Sequence, residues 1–115
     1  MTPARWIQLK EFAQQIVDRT ISEFPPEVLA EAQKVPVLFE TESATDPDIL
    51  GLYSNFELDE VSPANGPIIL YLGTIDAYCE EEGEDFATEV RLTYLHELGH
   101  HLGWDEDDLE ERGLG

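Results

Sequence analysis

Trp6, Leu9, Phe12, Ala13, Ile16, Val17 and Ile21 recur at spacings of three and four, which puts them on one face of a helix running from Pro3 to Phe24. Phe24-Pro25-Pro26 must end that helix, because proline lacks the N–H that a helix interior requires. Pro26 nevertheless suits the first turn of a second helix through Glu27, Val28, Leu29 and Ala32. A helical corner therefore opens the chain, and its apolar face requires a surface to be buried against.

The next apolar runs have a different character. Val35–Thr41 and Pro67–Leu72 are short, rich in β-branched and aromatic residues and bounded by turn formers, which reads as two strands. Leu50-Gly51-Leu52-Tyr53 is a weaker strand candidate, followed by a turn at Ser62-Pro63-Ala64-Asn65-Gly66. A short helix is expected over Asp76–Gly83 on the sheet's edge, and a longer one over Asp85–Leu102 with acidic residues in its first turn, where the helix dipole favours them. The expected class is α+β, a small mixed sheet of three or four strands flanked by helices. At 115 residues the chain fits one domain spanning residues 1–115.

Acidic residues outnumber basic ones 26 to 6, a net charge of −20 that repels phosphate backbones and anionic lipid. Nucleic acid and membrane surfaces are therefore excluded as expected partners, whereas a cation, a basic peptide or a basic protein surface would be attracted. No apolar run approaches the ~18 residues of a spanning helix, and Met1–Lys10 carries no signal-peptide core, so a cytoplasmic location is expected. Cys79 is the only cysteine, which rules out an internal disulfide and a cysteine-based zinc cluster. Any bound metal must then be held by histidine and carboxylate. The acidic runs Glu80–Glu82 and Asp105–Glu111 lack the alternating ligands and central glycine of an EF-hand loop, so they read as solvated surface.

All three histidines lie between His96 and His101, inside the long C-terminal helix. His96-Glu97-Leu98-Gly99-His100 is an H-E-x-x-H, whose two imidazoles stand one helical turn apart on one face and can converge on one ion. Glu97 follows the first imidazole and is the candidate general base. His101 projects about 100° from His100 and is assigned to packing or to support of the site. Catalytic zinc generally takes three protein ligands, so a third must come from elsewhere. Gly103 lets the chain reverse after the helix and return Asp105, Glu106, Asp107 or Asp108 to the ion.

From His96 to Glu106 the chain resembles the H-E-x-x-H-x-x-G-x-x-(H or D) signature of metzincin-type zinc proteases. With the tail through Leu114 and the segments Leu50–Tyr53 and Pro67–Tyr71, it is similar to a family of small bacterial zincin-like metallopeptidases. That resemblance implies a zincin-like fold with the active-site helix near the C-terminus. It also implies one zinc per chain, His96 and His100 as metal ligands, Glu97 as general base and Glu106 at the third ligand position. The family usually carries aspartate at that position, and larger metzincins have a methionine turn that this chain lacks, Met1 being its only methionine.

The expected function is zinc-dependent hydrolysis of a peptide or protein substrate, with the strand from Ile68 to Leu72 offering its edge to an extended chain. Tyr53, Tyr71, Tyr78 and Tyr94 are the phenols available to an oxyanion, although a buried ring with a bonded hydroxyl is the commoner role for each. The rival reading is a zinc-binding interaction module without protease activity, since so short a chain leaves little to wall a deep cleft.

Overall fold

A computed structural model describes residues 2–43, 48–53, 67–103 and 106–111. The expected turn at Ser62–Gly66, Asp105 and the tail from Arg112 to Leu114 lie outside the described residues. Helix α1 spans Pro3–Ser22, opened by Pro3 in its first turn and by the Thr2 hydroxyl, which accepts the Arg5 N–H at 3.2 Å. It buries Leu9, Ala13, Ile16 and Val17 of the face its spacing predicts, with Thr20 beside them, whereas Phe12 of that face is 48% exposed and its ring lies 5.7 Å from that of Phe86. It stops at Ser22, two residues short of Phe24, because Pro25 drives the residue before it out of helical geometry. Phe24 turns into the core instead, and α2 follows over Pro26–Ala32.

Strands β1 (Val37–Glu40), β2 (Gly51–Tyr53) and β3 (Ile68–Tyr71) form a mixed sheet in the order β1-β3-β2. β1 runs parallel to β3 with Val37 opposite Ile68, and β2 runs antiparallel to it with Gly51 opposite Leu70. This order corrects the expectation that Ile68–Leu72 offers a free edge. Ile68, Leu70 and Tyr71 of β3 are buried, whereas β1 alternates between half-buried and exposed, and a strand buried in this way takes the centre, where both of its edges are paired.

Leu72 also differs from its expected place. It opens helix α3 (Leu72–Glu82), which therefore begins four residues before Asp76. Leu72, Ile75 and Cys79 are all buried, so a helical period of three and four runs straight out of the strand. The Thr74 N–H donates to the Thr41 carbonyl at 3.1 Å, which satisfies one of the first-turn donors that no helical carbonyl reaches.

Helix α4 spans Phe86–Leu102 and α5 spans Glu106–Glu111. Asp85 caps α4, its carboxylate accepting the Thr88 N–H at 3.0 Å and the Thr88 hydroxyl at 2.9 Å. α4 packs against α1, α3 and the sheet, and Val90, Tyr94 and Leu98 join Val17, Leu70 and Ile75 in one apolar core. Tyr94 stacks on Phe24 with ring centroids 6.4 Å apart. No helix among the described residues is long and apolar enough to cross a membrane.

Candidate metal centre

The H-E-x-x-H segment falls in the last two turns of α4, where the helical period decides what each side chain faces. His96 and His100 are exposed and Glu97 is buried, at 6% relative exposure. The two imidazole centroids lie 4.6 Å apart, edge to face. The Glu97 carboxylate meets His100 Nδ1 at 3.1 Å. A carboxylate only accepts, so a neutral His100 in this contact carries its proton on Nδ1 and keeps the Nε2 lone pair for a ligand.

Donor atoms of His96, Glu97 and His100 all lie within 4.8 Å of one another. A tetrahedral ion with ligands at about 2.0–2.2 Å needs its donors about 3.3–3.6 Å apart, so side-chain rotation closes the remaining gap. Two imidazoles and a carboxylate form the mixed nitrogen and oxygen set that borderline cations such as zinc accept. The three residues therefore fit a divalent metal, and both imidazoles are open to ions arriving from solvent.

Gly103 ends α4 in the left-handed conformation at φ 71°, its N–H bonded back to the carbonyls of the last turn. A residue with a Cβ is disfavoured there, which is why glycine marks the reversal. α5 begins three residues later at Glu106. The side chain of Glu106 and all of Asp105 lie outside the described residues. Asp107 and Asp108 are described, and they do not join the converging donors.

His101 turns away from the pair, as its angular offset predicts. Its nearly enclosed ring places Nε2 3.3 Å from Glu31 Oε2, fixing the end of α4 to α2. Glu31 also accepts from Lys34 Nζ at 3.1 Å, and the hydrogen bonds from Lys34 and then His101 hold its carboxyl below the ordinary carboxylate range.

Two of the four phenols are closed off from the imidazoles or from water. Tyr94 sits about 200° around the helix from His96, buried against Phe24. Its hydroxyl finds no hydrogen-bond partner among the described residues, and burial raises its pKa. Among the described residues the expected bond to the Tyr94 hydroxyl is not found, and packing of the ring accounts for its place. Tyr71 is buried at the end of β3. Tyr78 is partly exposed on α3, and the side chain of Tyr53 lies outside the described residues.

A cleft of about 600 Å³ opens between the segment after β1 and helix α3, with Thr41, Glu42, Asp48, Leu50, Tyr78 and Glu81 in its wall. None of the three donors lines it, although Leu50 in its wall precedes a glycine that lies beside Glu97. That glycine, Gly51, is the site neighbour that sequence reasoning missed. A Cβ added at Gly51 would stand 2.6 Å from Thr93 Cγ2 and 3.3 Å from Glu97 Cγ. A glycine inside a strand is the signal for such a close approach.

Comparison with curated proteins finds no match. The family model described as zincin-like metallopeptidase matches residues 14–115, from within α1 through the donor helix to the last residue. The helix carrying His96, Glu97 and His100 lies inside that span, and the chain belongs to the zincin-like metallopeptidase family.

Proposed function

We propose that the protein is a zinc-dependent peptidase of metzincin type, a single catalytic domain working in the cytoplasm. His96, His100 and Glu106 are its metal ligands and Glu97 its general base. The observation that carries this reading is the convergence of donor atoms of His96, Glu97 and His100 within 4.8 Å at the end of α4, with the carboxylate buried and both imidazoles exposed. A zinc ion held by these residues would supply Lewis-acid polarisation of a carbonyl and of water. The Glu97 carboxylate would accept a proton from the attacking water and return it to the leaving amine. Its contact with His100 Nδ1 also holds that imidazole with Nε2 directed outward as ligand. Glu42, Asp48 and Glu81 in the nearby cleft, with the net charge of −20, favour a substrate rich in lysine or arginine.

Three measurements test the reading. Protein purified without chelators should carry about one zinc per chain and cleave casein or a peptide library, with cleavage stopped by a chelator. Glu97→Gln should keep the zinc and lose about 10²–10⁴ of the turnover, the usual share of a general base. Glu106→Ala should weaken zinc at least about 10–100-fold, more than Asp105→Ala, Asp107→Ala or Asp108→Ala, because it removes a ligand and not a supporting group. Stoichiometric zinc without any cleavage would instead favour an interaction module.

A further inference from the structure

We propose that Gly51 is a positioning residue for Glu97: its bare Cα lets edge strand β2 press against Thr93 and the Glu97 stem, holding the carboxylate on His100 Nδ1. This deepens the peptidase reading and rests on it. Glycine weakens a strand, since it has the most backbone freedom to lose and no side chain to pack. Its presence opposite the fully buried Leu70 therefore calls for a steric reason. The reason is directional, because the space a Cβ would need is taken by the Thr93 methyl at 2.6 Å, by Glu97 Cγ at 3.3 Å and by the Ile69 carbonyl at 3.3 Å.

Thr93 and Glu97 stand one turn apart on the buried face of α4, so the strand presses on both together. Beyond Cγ the Glu97 side chain has only one further carbon before the oxygen that sits 3.1 Å from His100 Nδ1. A wall at Cγ therefore restricts the rotamers from which the carboxylate can reach the imidazole. The line of contact runs from β2 through the Glu97 stem to the nitrogen that must hold the proton if Nε2 is to bind a metal.

The test compares Gly51→Ala, Thr93→Ser and the double variant, with circular dichroism as a check of fold. Thr93→Ser removes the methyl that the new Cβ would strike and keeps the hydroxyl. The first readout is the His100 tautomer in metal-free protein, from long-range ¹⁵N–¹H spectra about two pH units above the ordinary histidine pKa of ~6.5. The wild type and Thr93→Ser should show the Nδ1–H form. Gly51→Ala should lose it and bind zinc about 10-fold more weakly, and the double variant should recover both. A folded Gly51→Ala that keeps the Nδ1–H form, or a loss that Thr93→Ser does not repair, overturns the proposal. Should Gly51→Ala fail to fold, the double variant decides alone, with the Nδ1–H form supporting the wall and its loss refuting it. The tautomer is read without metal or substrate, so an inactive wild type would sink the peptidase reading and leave this measurement standing.

Discussion

Helices α1 and α4 are both long and both packed on the same core, yet they place their polar residues differently. α1 buries Leu9, Ala13, Ile16, Val17 and the single polar Thr20, whose hydroxyl donates to the Ile16 carbonyl at 2.8 Å within its own helix. α4 buries Thr93 and Glu97 alongside Val90, Leu95 and Leu98. Burying a carboxylate is unfavourable unless a partner compensates it, and Glu97 has His100 for that purpose. A helix whose only task was packing would carry an aliphatic residue at position 97. The contrast teaches that α1 is shaped by burial alone, whereas the last turns of α4 are shaped by the donors they bring together.

The sharpest way to break this contrast is to remove a donor. His96→Ala or His100→Ala should abolish zinc binding; in the metal-free protein His96→Ala should change stability by no more than ~0.5 kcal/mol, because its side chain is exposed, whereas His100→Ala takes a partner from the buried Glu97 carboxylate and should cost about 1–3 kcal/mol. Metal analysis together with urea unfolding measures both effects, and stoichiometric zinc in both variants would dissolve the site. Next in size is a truncation in the part of α4 that packs as α1 does. Leu98 is 1% exposed, so Leu98→Ala should cost about 2–5 kcal/mol, whereas Ile7→Ala on the 51% exposed outer side of α1 should stay within about 0.5 kcal/mol. Denaturant midpoints at constant slope would show the difference. The smallest effect concerns the helix starts, where the two helices are alike. Asp85→Ala and Thr2→Ala each remove a side-chain cap and should each cost about 0.5–2 kcal/mol, with Asp85 the larger because its charge also meets the helix dipole and it holds two donors. Thermal unfolding of the two variants would rank them.

What could be read from residue order follows the range of the interactions involved. The α1 face, the break before Pro25, the α4 cap at Asp85 and the Gly103 terminus are settled within a turn or two of chain, and all are visible as local patterns. The convergence of His96, Glu97 and His100 is legible for the same reason, since one helix supplies all three donors. The central place of β3 depends on partners about 30 residues away on its parallel side, and a strand's own residues do not name its neighbours. Leu72 reads as strand in the sequence because a short apolar run looks alike in strand and helix, and burial of Ile75 and Cys79 decides for the helix. Gly51 could be recognised as unusual, but not as the neighbour of Glu97, because that contact joins residues 46 positions apart.

The contact between His101 and Glu31 has a consequence for the imidazoles beside it. Helix ends fray, and a donor pair in the last turns of a free helix would sample open states in which no ion is held. With His101 Nε2 3.3 Å from Glu31 and Gly103 folding its N–H back onto the final turn, opening that end also requires separating α4 from α2. The backbone carrying His96 and His100 is thus preorganised by a histidine bonded to α2. Capture of a cation then has to order the ligand side chains but not this end of the helix, whose entropy cost is already met in folding.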